Sequence, residues 1–91
     1  VFYEVEVVGR QNTESDTCAF LFKGIKDYNQ AGNVVFVGGA KEIVSSGNNS
    51  DYDARVITDN TNKSIKVLVT GDSQYSMAWV ARVKLTQVTH L

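Results

Sequence analysis

Apolar and polar positions alternate with a period close to two along nearly the whole chain, the pattern of strands with one buried face. At the start, Tyr3, Val5 and Val7 fall on one side and Glu4 and Glu6 on the other. Thr17 to Ile25 is apolar on both sides, with Cys18, Phe20 and Phe22 against Ala19, Leu21 and Ile25. That predicts a central strand covered on both faces. Asn33 to Gly38 reads as a short buried strand, and Lys41 to Ser45 as another. Tyr52 to Thr58 alternates again, Tyr52, Ala54 and Val56 against Asp53 and Arg55, and Ser64 to Thr70 puts Ile65, Val67 and Val69 on one side. In the long last strand Met77, Trp79, Ala81, Val83 and Leu85 share a face, while Arg82, Lys84 and Thr86 look away. Val88 is out of phase with Leu85, which predicts a bulge near Thr86 or Gln87.

Between these runs the chain is rich in Gly, Asn, Asp and Ser, and it has no proline. The turns therefore rest on residues that tolerate positive φ or bond their own backbone. Ser46 to Asp51 is the strongest loop signal, and Gly38-Gly39 reads as a diglycine turn. No window carries a 3.6-residue period. The expected fold is all-β, an antiparallel β-sandwich of about six to eight strands with little or no helix.

Length limits this to one sandwich domain over residues 1–91, with a thin core: a chain this short buries only about 60–65% of its unfolded surface. The first residue, Val1, already lies in a strand, as expected of a piece cut from a longer chain. Nine Lys and Arg against ten Asp and Glu give a net charge of -1. Nucleic acid and anionic membranes both demand a positive excess, so neither is an expected partner. No apolar run approaches the roughly 20 residues of a membrane-spanning helix, and no membrane insertion is expected.

Candidate chemistry is sparse. Cys18 is the only cysteine, so no intrachain disulfide is possible, and its apolar setting marks it as a small buried side chain. A nucleophilic role would need a base, and the only histidine is His90. One His and one Cys make no zinc site, and no cofactor motif is present. Asp51 and Asp53 flank Tyr52 and share a side, but a catalytic acid needs a pocket to raise its pKa, which a thin sandwich seldom provides. Asn48, Asn49, Ser50, Asp51 and Asp53 are calcium-type oxygen donors without the order of a calcium-binding loop, and they read as turn residues. No catalytic, cofactor or metal residue is therefore assigned, and the chain is not expected to be an enzyme. Phe20 and Phe22 could imitate a base-stacking pair, but the cations around them are scattered and matched by acids. For sugar binding, exposed aromatic platforms beside amides and carboxylates are required. Tyr28, with Asp27 and Asn29, and Tyr75, with Asp72 and Gln74, are the two loop-placed candidates.

Several segments together resemble a small β domain that recurs in bacteriophage virion proteins, chiefly tail-fibre and tail proteins. They are Val5-Glu-Val-Val-Gly-Arg10, Ala19-Phe-Leu-Phe-Lys-Gly24 and Gly32-Asn-Val-Val-Phe-Val-Gly38 in the first half. In the second half they are Tyr52-Asp-Ala-Arg-Val56, Thr61-Asn-Lys-Ser-Ile-Lys-Val-Leu-Val-Thr-Gly71 and Trp79-Val-Ala-Arg-Val83. The pattern of that domain has an aromatic followed by Asp, an Asn before a strand ending in Val-Thr-Gly, and a closing Trp-Val-Ala-x-Val strand. Cys18-Ala-Phe-Leu-Phe22 departs from it, being more apolar than in relatives, which implies extra burial at a subunit contact.

The resemblance implies a non-enzymatic structural component of a phage virion: a tail-fibre or appendage module that contributes to host attachment. It also implies a homotrimer that packs with itself and with other virion proteins, on the tail or capsid surface, with a host-surface glycan as a possible ligand. Two alternatives stand beside it: a capsid decoration protein, and a stand-alone carbohydrate-binding sandwich.

Overall fold

A computed structural model describes residues 1–12, 16–47, 51–72 and 76–87. Six strands follow one another: β1 (Phe2–Gln11), β2 (Thr17–Tyr28), β3 (Val34–Ser45), β4 (Asp53–Asp59), β5 (Ser64–Thr70) and β6 (Met77–Thr86). They form a four-stranded sheet in the order β3-β2-β1-β6 and a two-stranded sheet of β4 and β5, and every pairing is antiparallel. There is no helix among the described residues. The all-β antiparallel sandwich expected from alternation is thus observed, at the lower end of the strand count.

The inner face of the large sheet carries Tyr3, Val5 and Val7 from β1 and Cys18, Phe20 and Phe22 from β2, all buried. Tyr52 and Ala54 close over them, and Phe36, Val56, Ile65, Val67, Met77 and Trp79 pack around this centre. Burying a side chain of Val or Phe size contributes about 1.5–3 kcal/mol, so this cluster is the main source of stability. The covering layer is off-centre, because β4 lies beside β3 and β2. Val83 and Leu85 pair with Val5 and Tyr3 and so point to the same inner side, yet they are 47% and 56% exposed.

Two glycines make room for aromatic rings. Gly9 pairs with Trp79, and a Cβ at Gly9 would lie 2.5 Å from the indole. Gly24 pairs with Tyr3, and a Cβ there would lie 2.5 Å from the phenol oxygen. Each ring lies flat across a neighbouring strand, filling the place a side chain would take.

Three expectations need correction. The segments read as two short strands, Asn33 to Gly38 and Lys41 to Ser45, are one continuous edge strand, β3, of which only Val34 is buried. Gly38 is not a chain-reversing turn. Between the pairs Gly24–Gly39 and Lys26–Phe36, β3 carries one more residue than β2, and Gly38 accommodates this bulge with φ of 70°. A second irregularity leaves Val44 extra between Ala19–Ser45 and Phe20–Ile43. Lastly, β2 is central but covered on one side only: Ile25 is 44% exposed, and Ala19 and Leu21 are half-buried on the outer face. The bulge expected near Thr86 or Gln87 is not seen as far as the strand runs: Thr86 pairs in register with Phe2 and ends β6, and Val88, whose phase suggested the bulge, lies outside the described residues.

Candidate functional site

The side chains singled out for chemistry are dispersed. Cys18 is fully buried, and burial, followed by the negative charge of Asp16, pushes its thiol above the ordinary value. A thiol held protonated is a packing group, not a nucleophile. His90 lies outside the described residues, as do Asn48, Asn49 and Ser50 of the calcium-type stretch. Asp53 is committed to Lys41, whose Nζ stands 2.5 Å from Oδ1, and this bond holds the carboxyl below its usual range. Among the described residues no group of three or more His, Cys, Asp or Glu could hold a metal ion. Phe20 and Phe22 are 2% and 6% exposed, which makes them core and not a stacking platform.

Tyr75 lies outside the described residues. Tyr28 closes β2 instead of sitting in a loop, because the β2–β3 ladder resumes beyond the Gly38 bulge with Tyr28 opposite Val34. The ring is 52% exposed. Its intended helpers are occupied locally: Asp27 Oδ1 accepts the Tyr28 backbone N–H at 2.8 Å, and Asn29 Oδ1 accepts that of Asn33 at 2.9 Å. Lys26 Nζ lies 5.7 Å from the ring centroid, a cation–π distance that occupies one face. Tyr28 also borders a cleft of about 520 Å³ lined by Phe2, Ile25 and Thr86 at the end of the sheet.

On the β3 side the two sheets leave an open trough of about 350 Å³, floored by Tyr3, Phe22 and Val56 and bordered by Lys41 and Arg55. Lys41 spans it. Its ammonium lies 5.3 Å from the Phe20 ring centroid and 5.7 Å from that of Phe22, while it also bonds Asp53 on β4. Sequence reading passed over Lys41, since its partners come from two distant strands. At the opposite end of the sandwich, Gln11 Nε2 donates to the Tyr52 hydroxyl, and Gln11 Oε1 is buried without a partner among the described residues. Burial raises the Tyr52 pKa, and the bond to Asp16 adds to this. That bond is the one expected of a phenol donating to a carboxylate.

The outer face of the large sheet is banded. One row aligns Ala19, Val8 and Val80, with Val44 at its β3 end. The next two rows place Glu6 opposite Arg82 and Glu4 opposite Lys84. Val8, Val44 and Val80 are 45%, 61% and 68% exposed. Among the described residues the most distinctive site is therefore a surface, apolar on the outer band and on the inner side of β6, and not a cleft with converging reactive groups.

Comparison with known proteins finds no family model, no curated protein and no solved structure that matches this chain.

Proposed function

We propose that the chain is a non-enzymatic structural module of a phage virion, part of a tail fibre or related appendage that contributes to host attachment and works in several copies. The observation that carries this reading is the amount of surface left for assembly. The body measures 51 × 24 × 17 Å and exposes 6257 Å². A compact monomer of this mass would expose about 5,200 Å². Large apolar side chains stand exposed on both faces, Val8, Val44 and Val80 on the outer one and Val83 and Leu85 on the inner one. Proteins meant to stay alone seldom leave such patches in water. The resemblance of the strand segments to the phage-virion domain supplies the setting, and the apolar Ala19 and Leu21 lie on the outer face, where a subunit contact would fall.

The test is location. Antibody to this domain, applied to purified particles of the phage that encodes it, is expected to decorate the tail or its appendages. Label spread over the head favours a capsid decoration role. Particles that carry none of the protein overturn the virion reading. Sugar binding by an isolated monomer, lost in Tyr28→Ala, would favour the stand-alone carbohydrate module, against which Lys26 already occupies one face of that ring.

A further inference from the structure

We infer that β6 is a docking edge for a second copy of this chain, the two β6 strands pairing antiparallel about a twofold axis at Ala81 into one continuous sheet. The inference stands on the edge geometry and does not depend on where the module works. β6 pairs with β1 without interruption from Gln11–Met77 to Phe2–Thr86, so its other side presents a long row of backbone donors and acceptors that no strand among the described residues pairs with. It contains no Gly and no Pro. Natural sheets protect free edges with bulges, inward charges, prolines or charged edge side chains. β6 carries Arg82 and Lys84 on its outer side but has no bulge, inward charge or proline, and such an edge is a template for another strand. The other free edge, β3, has such protection: two register breaks, and the charge of Lys41 opposite Phe22.

Side-chain chemistry selects both partner and register. Symmetric pairing at Ala81 keeps both inner faces on one side and sets Trp79 against the partner copy's Val83, and Met77 against its Leu85. Val83 and Leu85, exposed on the inner side of β6, would then lie beside the partner copy's Trp79 and Met77, whose side chains rest over Gly9 and Gly71. On the outer side Arg82 meets Val80 and Lys84 meets Ala78, so no like charges stand directly opposite. Shifting the axis to Arg82 would oppose two guanidinium groups, and shifting it to Val80 would leave Leu85 without a β6 partner. The basic residues are already faced by Glu6 and Glu4 of β1.

The experiment measures mass in solution as concentration rises. The full chain is expected to reach twice its 10.0 kDa. Ala81→Lys and Ala81→Glu, at an exposed position, each place like charges on the axis and are expected to stay at single mass while keeping the β-sheet circular dichroism spectrum. Mixing the two is expected to restore the double mass, because Lys and Glu then face each other. A chain that stays single at every concentration overturns the inference. So does a trimer, the assembly implied by the phage resemblance, or a dimer indifferent to these substitutions, or a mixture that does not recover. None of these outcomes places the protein on or off the particle, which the antibody test reads by itself. A chain single at every concentration would also remove the multi-copy part of the proposed function, whereas a trimer would overturn only the β6 pairing.

Discussion

The two sides of the four-stranded sheet were built from the same alternating pattern and ended differently. On the β3 side, Phe20 and Phe22 are covered by Ala54 and Tyr52, Lys41 reaches across to Asp53, and the edge is bent by bulges. On the β6 side, Val83 and Leu85 project from an equally regular inner face and stay 47% and 56% exposed, with no second layer over them among the described residues. A four-stranded sheet roofed by two strands cannot be covered everywhere, and the roof lies where β4 joins β3. The difference shows that strand phase assigns a residue to a face, while burial depends on what lies opposite.

The sharpest way to break this comparison is truncation on each side. Phe20→Ala removes a ring that is 2% exposed, and the loss of transfer energy plus the cavity left behind should cost about 3–5 kcal/mol. Leu85→Ala, on the same inner face, should change the stability of the isolated monomer by no more than about 0.5 kcal/mol. Urea unfolding at a concentration that keeps the chain monomeric reads both. Comparable losses would show that the β6 side is as well packed as the β3 side.

A smaller effect tests how far the packed centre reaches toward β6. Gly9→Ala puts a methyl group where the Trp79 indole lies and should cost about 1–3 kcal/mol through overpacking. In a Trp79→Ala background the same change should cost much less, since the obstacle is gone. A double-mutant cycle isolates this coupling. Additive losses would mean that the ring does not press on Gly9 in solution.

Much of this was legible beforehand. Alternation located five of the six strands and the facing of Tyr3, Val5, Val7, Tyr52 and Ala54, because a pleat forces period two wherever one side is buried, whereas β3 reads as two short strands in the sequence. The Gly9–Trp79 and Gly24–Tyr3 contacts were not legible, since they depend on cross-strand register, which no single segment contains. Gly38-Gly39 misled because a bulge and a turn use the same residue for the same reason, tolerance of positive φ. Tyr28 was placed in a loop on the turn chemistry of Asp27 and Asn29. That chemistry is real, but the pairing of Lys26 with Phe36 carries the ladder past it. The site suffered most. Lys41 draws its partners from β2 and β4, and the bare stretch of β6 is defined by a layer that ends short of it.

The smallest predicted effect sharpens the β3 side alone. Lys41 and Asp53 close the trough between the sheets, but their side chains are 34% and 45% exposed, so water screens the pair and its net contribution is about 0.2–1 kcal/mol. Because the bond lowers the Asp53 pKa in the folded protein, its contribution is complete above the carboxylate's unfolded value, near about 3.9. It is lost as pH falls through the lower folded-state value. Lys41→Ala should therefore be less stable than the parent at pH 7, and the gap should close in acid below that range. The lysine also covers Phe20 and Phe22, and any part of the gap due to that contact would persist at low pH, where the ammonium is still charged. Thermal unfolding of both proteins from pH 7 to pH 2 separates the two. A gap independent of pH would assign Lys41 to covering the rings and leave Asp53 a minor partner on the closed side of the sandwich.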